Sequence, residues 1–82
     1  MQTITTEVLS QLQRDATKVV SSNIDRVTWT AEASLVVWFK TGAAYRYPGV
    51  SRELYEALVS AESVGKYLNA HIKPSFPAER LN

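Results

Sequence analysis

The residues best suited to binding an anion are Ser63, Gly65 and Lys66, which occur together in the run SVGK. Ser63 has the side chain of a helix N-cap, and the first turn of a helix exposes backbone N–H groups at the positive end of the helix dipole. Gly65 would let a ligand approach the backbone, and Lys66 would add a positive charge, so the run predicts a phosphate-binding site. In the alternative interpretation Ser63 only caps the helix and Gly65 only allows close packing.

Two further polar residues extend this site along the same predicted helix. Asn69 and Lys73 follow Lys66 at intervals of three and four residues, a spacing that puts the three side chains on one helix face. With Arg46 and Arg80 they would form a modest basic patch. A solvated surface position is the simpler interpretation of any single lysine, so the patch has functional meaning only if it adjoins the predicted phosphate site.

Two tyrosines are candidates for orienting a ligand. Tyr45 and Tyr47 alternate with smaller or charged residues, which places them on the strand face shared with Val37 and Phe39. Burial in the core is the favoured interpretation of the rings. Their hydroxyl groups would then reach the edge of the sheet, where they could hydrogen-bond a base, a ribose or the start of a helix.

Trp38 lies on the opposite strand face from these tyrosines, together with Val36. It could stack on a nucleic-acid base, but we favour an interpretation in which it is covered. The cover would be either the amphipathic N-terminal helix, through Leu12, or a second subunit, because this apolar surface has no other predicted neighbour. Val36, Trp38 and Leu12 are therefore the candidate interface residues.

Catalytic and metal sites are not indicated. The chain has one histidine, His71, and no cysteine, so neither a His-x-x-His nor a His/Cys ligand pattern is present. Glu53 and Glu56 lie one turn apart on a predicted solvated helix face, where nothing raises a carboxyl pKa. The sequence predicts a protein that is not an enzyme and that needs no metal and no cofactor.

The elements that must position these residues are organised around a β-hairpin at residues 35–50. Its two strands alternate in hydrophobicity and meet at Gly42, a residue that adopts the positive φ of a tight turn. A further strand is predicted at residues 24–31, and helices at 7–17, 52–61 and 64–73, with an extended tail at 74–82. The fold class is therefore α+β: an N-terminal helix, a three-stranded antiparallel β-meander and two C-terminal helices packed on the sheet.

Composition sets further bounds. The chain has 82 residues, 45% of them hydrophobic, and a formal net charge of +1, which indicates one globular domain without a strongly basic surface. A domain of this size buries only about 60 to 65% of its unfolded surface, so self-association would help it, and we expect a homo-oligomer. Lack of cysteine and of a long apolar run leads us to expect a cytoplasmic protein with no membrane contact.

From Val20 onward the chain resembles the KTSC domain, a small family named from the C-terminal region of some lysyl-tRNA synthetases and found also as stand-alone bacterial and phage proteins. The matching residues are Ser21, Ser22, Ile24, Leu35, Val37, Phe39, Gly42, Tyr45, Tyr47, Val50, Tyr55, Leu58, Ala61, Ser63, Gly65, Asn69, Ile72, Lys73 and Phe76. Ser51 and Trp29 depart from the pattern, where proline and tyrosine are usual. The resemblance implies a KTSC-like domain at residues 20–82, preceded by an N-terminal helical extension at residues 1–19.

Two functional hypotheses follow. The resemblance implies a binding module, with RNA as the ligand proposed for the family, and the residues above suit a phosphate-bearing ligand, either RNA or a nucleotide-like small molecule. The candidate ligand-binding residues are Tyr45, Tyr47, Ser63, Gly65, Lys66, Asn69 and Lys73. Because the family occurs in phages, a phage protein that sequesters a nucleotide signal is one form of this hypothesis. The alternative is a protein-interaction or oligomerisation module that acts on a host protein without a small ligand.

Overall fold

One antiparallel sheet with helices on both faces makes up the part of the protein that the structure describes. The computed structural model describes residues 6–81. In chain order its elements are α1 (Thr6–Asp15), β1 (Thr17–Lys18), β2 (Ile24–Thr30), β3 (Ser34–Phe39), β4 (Ala44–Pro48), α2 (Arg52–Val59), α3 (Val64–Tyr67), a π-helical segment that continues α3 (Leu68–Ile72), and β5 (Glu79–Arg80). The strands stand in the sheet in the order β1-β2-β3-β4-β5, so each strand pairs with its neighbours along the chain.

Two tight turns connect the three long strands. Gly42, between β3 and β4, has a φ of 98°, and the turn is closed by the Phe39 N–H, which donates to the Ala43 carbonyl at 2.8 Å. Ala33, between β2 and β3, has a φ of 57°, which is unusual for a residue other than glycine. Its carbonyl accepts a hydrogen bond from the Gly49 N–H at 2.8 Å, and this contact supports the strained turn.

The strand register assigns each side chain to one face of the sheet. Tyr45 stands opposite Val37 and Tyr47 opposite Leu35, so these residues share the face that we call the core face. Trp38 stands opposite Ala44 on the other face, which we call the α1 face. β2 contains a bulge at Asp25, and its side chains alternate between the two faces on either side of that bulge.

The core face is covered by α2, α3 and the π-helical segment. Their buried side chains are Leu58, Val64, Leu68 and Ile72, and they pack on the apolar residues of β2, β3 and β4. Ser51 begins α2, since its hydroxyl accepts from the Leu54 N–H at 3.2 Å. The core face therefore carries the main hydrophobic core.

The α1 face has a smaller core of its own. Val36, Trp38 and Ala44 are buried there, and the partly buried residues packed against them are Leu9, Leu12, Ala16 and Leu81. The amphipathic α1 thus lies on the sheet through its apolar side.

The three-stranded meander predicted from the sequence is part of a larger sheet. β1 and β5 add one two-residue strand to each side, giving five strands within residues 6–81. A strand of two residues shows no alternation, so the period-two signal could not find either of them. The α+β class is as predicted, with α1 on one face and the C-terminal helices on the other.

Helix limits also differ from the predictions. α1 ends at Asp15 and α2 at Val59, two residues earlier than predicted in each case. The helix that begins at Val64 changes to π-helical geometry at Leu68, where the Lys73 N–H donates to the Leu68 carbonyl at 2.9 Å. None of the helices within residues 6–81 has the length and apolar composition that a membrane crossing requires.

Candidate functional site

A cleft with a volume of about 820 Å³ opens on the core face, at the end of the sheet that carries the β3–β4 turn. We call it the hairpin cleft. Its walls come from three places: the β3–β4 hairpin, the helix formed by α3 and the π-helical segment, and residues 76–78 of the C-terminal tail. Ser22 and Asn23, which precede β2, complete its lining.

The hairpin wall is aromatic. The rings of Phe39 and Tyr45 meet edge to face with their centroids 5.7 Å apart, a favourable geometry for two aromatic side chains. Tyr47 is 2% exposed and also lines the cleft. Burial, and to a lesser extent the neighbouring Tyr45, raises the pKa of Tyr47 above the value of 10.0 usual for tyrosine. Tyr47 therefore presents a neutral hydroxyl at neutral pH.

The helical wall carries Gly65, Asn69 and Lys73 at intervals of four residues. Lys73 extends toward the hairpin, where its Nζ lies 5.6 Å from the centre of the Phe39 ring. This distance is within the range of a cation–π interaction, so the ammonium group is held beside the aromatic wall. Asn69 lies within the π-helical segment and Lys73 follows it directly, and such segments recur at functional sites in proteins.

Gly65 brings the helix close to the loop before β2. A Cβ atom on Gly65 would lie 3.3 Å from the Ser21 hydroxyl oxygen. That oxygen already accepts hydrogen bonds from the N–H groups of Asn23 and Ile24, each at 3.3 Å, so it has little freedom to move away. Gly65 therefore allows the helix to lie close to the loop that borders the cleft, where a side chain would force one of them to shift.

The C-terminal tail closes one side of the cleft with Phe76, Pro77 and Ala78. Phe76 packs on the core face, and its ring lies 3.8 Å from where a Cβ of Gly49 would be. Beyond the cleft the tail is held by β5, which pairs with β4, and by the ion pair between Arg46 Nη2 and Glu79 Oε2 at 3.3 Å. The tail wall is thus attached to the sheet on both sides.

The charge of the cleft is positive. Lys40 and Lys73 are its two ionisable groups that are charged at neutral pH, and no aspartate or glutamate is among the lining residues. An anion entering the cleft would meet two ammonium groups, aromatic rings and the polar groups of Asn23 and Asn69, without a repelling carboxylate. The arrangement suits a ligand that joins a planar group to a negative one.

Of the seven ligand-binding residues predicted from the sequence, the structure brings five into this cleft and leaves two outside it. The five are Tyr45, Tyr47, Gly65, Asn69 and Lys73. Ser63 and Lys66 do not line the cleft; the Ser63 hydroxyl accepts from the Lys66 N–H at 3.4 Å and serves as the N-cap of α3. The predicted basic patch is also divided, because Arg46 points to the α1 face and pairs with Glu79.

Sequence reasoning missed Lys40 and the tail wall. Lys40 ends the apolar alternation of β3 next to the turn, and its position beside Gly42 was an available signal. No signal in the sequence places residues 76–78 against the hairpin, because that contact depends on how the tail folds back after the last helix.

The predicted interface residues are packed within the chain. Trp38 is 3% exposed and Val36 is fully buried, and Leu12 of α1 packs against them. Val36 and Trp38 would meet a partner only if α1 left the sheet.

Metal binding finds no support in residues 6–81, where no group of three or more histidine, cysteine, aspartate or glutamate side chains is arranged to hold an ion. His71, the one histidine, is exposed, and its ring lies 4.5 Å from the ring of Tyr67. It does not line the hairpin cleft.

The fold and the cleft define a small α+β domain in which an antiparallel sheet and two C-terminal helical elements frame one positively charged groove. The chain belongs to the KTSC domain family, which matches residues 20–76. This match confirms the resemblance inferred from the motifs, and it begins after α1.

Similar proteins come from several bacteria. The crystal structure of a KTSC domain protein from Yersinia pestis is 25% identical, with a TM-score of 0.77, and the alignment covers 82% of this chain and 96% of that one. A protein of Tsukamurella paurometabola is 41% identical over 62% of this chain and 76% of its own length. An uncharacterized protein of Stutzerimonas stutzeri is 36% identical over 66% of this chain and 78% of its own.

Proposed function

We propose that the protein is a non-enzymatic binding module whose hairpin cleft takes a phosphate-bearing, nucleotide-like ligand. One observation carries the proposal: the fold brings Tyr45 of β4 together with Asn69 and Lys73 of the helical wall in one cleft that also contains Lys40 and no carboxylate. A volume of about 820 Å³ lies within the range usual for small-molecule sites.

The walls suggest how the ligand is oriented. The edge-to-face pair of Phe39 and Tyr45 offers an apolar surface for a base, and Lys73 stands beside it. Lys40, at the adjoining turn, supplies a second ammonium group for the phosphate. In this proposal Ser63 and Lys66 make no direct contact with the ligand. The phosphate is therefore placed in the hairpin cleft and not at the helix start that the sequence predicted.

A binding role fits the chemistry of the lining better than a catalytic one. General acid–base catalysis needs a group whose pKa lies near the working pH. The lining contains neither histidine nor carboxylate, and the pKa of Tyr47 is raised rather than lowered. We therefore expect the ligand to be retained unchanged.

The test compares lysines inside and outside the cleft. We expect Lys73→Gln and Lys40→Gln each to weaken the affinity for adenosine monophosphate about tenfold in calorimetric titrations, because each removes one charged contact to phosphate. Lys66→Gln is the matched control, since Lys66 lies on the same helix as Lys73 but outside the lining, and its affinity should equal that of the unmodified protein.

Two results would contradict the proposal: no binding of any nucleotide or short RNA by the unmodified protein, or an equal loss in all three variants. A loss confined to Lys66→Gln would instead support the helix start as the phosphate site.

RNA and a small nucleotide are distinguished by titrating a short single-stranded RNA at several salt concentrations. Two lysine contacts predict a slope of about −1.4 in the plot of log affinity against log salt. A much steeper slope would show that RNA uses basic residues beyond the cleft. With a net charge of +1, we expect the shallow slope and a preference for the small ligand.

The biological role that follows from this proposal is sequestration of a nucleotide signal, including the case of a phage protein acting in its host. The alternative, an oligomerisation or host-protein interaction module, relies on Val36, Trp38 and Leu12, which are packed against one another in the chain. Native mass spectrometry of the purified protein tests both the expected homo-oligomer and a bound ligand in one measurement.

A further inference from the structure

A second cavity, with a volume of about 580 Å³, lies between α1 and the sheet. We call it the α1 cavity. Leu9, Ser10 and Gln13 of α1 form one side, and Asp25 and Trp38 lie on the sheet side, with Lys40 and neighbouring residues of the hairpin at its rim. The hairpin cleft opens on the other face of the sheet, and the two sites meet at Phe39 and Lys40, which line both.

Trp38, one of the residues that line this cavity, carries a buried hydrogen-bond donor without an acceptor. Trp38 is 3% exposed, and its Nε1 has no hydrogen-bonding partner. The other tryptophan, Trp29, has its Nε1 satisfied by the Val50 carbonyl at 2.8 Å. An indole nitrogen can only donate, and a buried donor without an acceptor costs free energy, so such a group calls for an explanation.

A water molecule is the usual partner of such a donor, and one water occupies about 30 Å³ in the liquid. The α1 cavity is many times larger, and part of its wall is apolar, formed by Leu9 and Phe39. A molecule with an apolar body and one acceptor oxygen matches this lining better than water does.

The charges around the cavity favour an anionic acceptor. Lys40 lines the cavity, and the one carboxylate in its lining, that of Asp25, already accepts from Arg26 Nε at 3.0 Å. The Asp25 charge is thus largely compensated, whereas the Lys40 ammonium has no ion-pair partner among the described residues.

We propose that the α1 cavity is a second binding site, which takes a small carboxylate with an apolar body through a hydrogen bond from Trp38 Nε1 and the charge of Lys40. The C-terminal half of α1 is held to the sheet by Arg26, whose Nη1 donates to the Gln13 carbonyl at 2.9 Å. Because the indole nitrogen is buried, the proposal requires an outward shift of the half that carries Leu9 and Ser10, so that a ligand oxygen can reach Trp38 Nε1. Lys40 lines both this site and the hairpin cleft, so Trp38 Nε1 is the group that distinguishes the two sites.

The test observes the two indole N–H groups by ¹H–¹⁵N NMR during titration with benzoate, benzamide and benzene. We expect a saturable shift of the Trp38 signal with benzoate and a weaker one with benzamide, which has an acceptor but no charge. Benzene has no acceptor oxygen, so it should not produce the hydrogen-bond shift of the Trp38 signal. The Trp29 signal is the internal reference and should not move, because its donor is already satisfied.

Two variants check the location of the site. Ser10→Phe fills the cavity and should abolish the shift, whereas Val20→Phe adds the same side chain at a position that is 98% exposed and should leave it unchanged. Trp38→Phe keeps an aromatic ring but removes the donor, and it should weaken binding of 4-fluorobenzoate, followed by ¹⁹F NMR, about tenfold.

The proposal is overturned if no probe shifts the Trp38 signal, or if benzene shifts it as much as benzoate does. It is equally overturned if Trp38→Phe binds 4-fluorobenzoate as tightly as the unmodified protein, a result that does not depend on whether Ser10→Phe folds.

Discussion

At the scale of single residues, Lys40 and Lys73 determine what the hairpin cleft can accept. Spacing along one helix grouped Lys73 correctly with Asn69, since both line the cleft, but it also included Lys66, which does not. Helical periodicity predicts the direction of a side chain only approximately. Residues on the same helix face therefore differ in whether they point into the cleft. Lys40 was missed because the alternation of β3 assigns it to the face of Trp38, whereas it lines the hairpin cleft as well as the α1 face.

Tyr47 makes stability depend on pH in alkaline solution. Its pKa in the folded protein is raised above 10.0, chiefly by burial and further by Tyr45, so the folded state holds the hydroxyl proton more tightly than the unfolded chain does. The stabilisation is complete below pH 10 and is lost as the pH rises toward the folded-state pKa. We expect the free energy of unfolding, measured with urea, to fall above about pH 10.

Tyr47→Phe provides the comparison for this pH dependence. The variant has no proton to lose at this position, so its unfolding free energy should fall less steeply over the same alkaline range. Identical slopes for the two proteins would show that Tyr47 ionises equally easily in both states.

At the scale of elements, the agreement between sequence and structure follows the length of each repeating pattern. The β3–β4 hairpin was predictable because its alternation extends over two strands and Gly42 marks the turn between them. β1 and β5 have two residues each, and the change from α3 to π-helical geometry leaves the apolar spacing almost unaltered. The hairpin wall and helical wall of the cleft were therefore predictable, whereas the tail wall was not.

The tail wall can be tested through Phe76, its partly buried anchor. Phe76→Ala should lower the free energy of unfolding by about 2 kcal/mol, since the ring is only partly buried. Because residues 76–78 would then lose their fixed position, we also expect a several-fold weaker affinity for adenosine monophosphate in the same calorimetric titration.

Ser75→Ala is the control for this experiment, because Ser75 is exposed and does not line the cleft. If Phe76→Ala bound the nucleotide as tightly as Ser75→Ala, the tail would have no part in the site.

At the scale of the whole molecule, the sheet separates two cores of unequal size. The family match covers the core face and its helices but begins after α1 and ends before Leu81, so the residues that cover the α1 face lie outside the matched range. The sequence left two possibilities for Trp38, a helix of the same chain or a second subunit. In the structure it is α1 that covers Trp38, together with Leu81 of the tail.

The contribution of α1 can be measured with a pair of alanine substitutions one residue apart. Leu12 packs against the Trp38 cluster, and Leu12→Ala should lower the free energy of unfolding by about 1 to 2 kcal/mol and shift the tryptophan fluorescence to the red. Gln11 is exposed, and Gln11→Ala should change neither quantity appreciably. Equal effects of the two substitutions would mean that the α1 contact does not stabilise the fold.

The position of β5 also affects the risk of aggregation. β5 pairs with the outer side of β4, and the Leu81 N–H donates to the Ala44 carbonyl at 2.8 Å. Without this cover β4 would present unpaired backbone groups between aromatic side chains, a template on which another chain can add a strand. β4 is synthesised before β5, so each nascent chain passes through a stage with that edge open. Variants that loosen the tail should therefore form intermolecular β-structure before they lose their core.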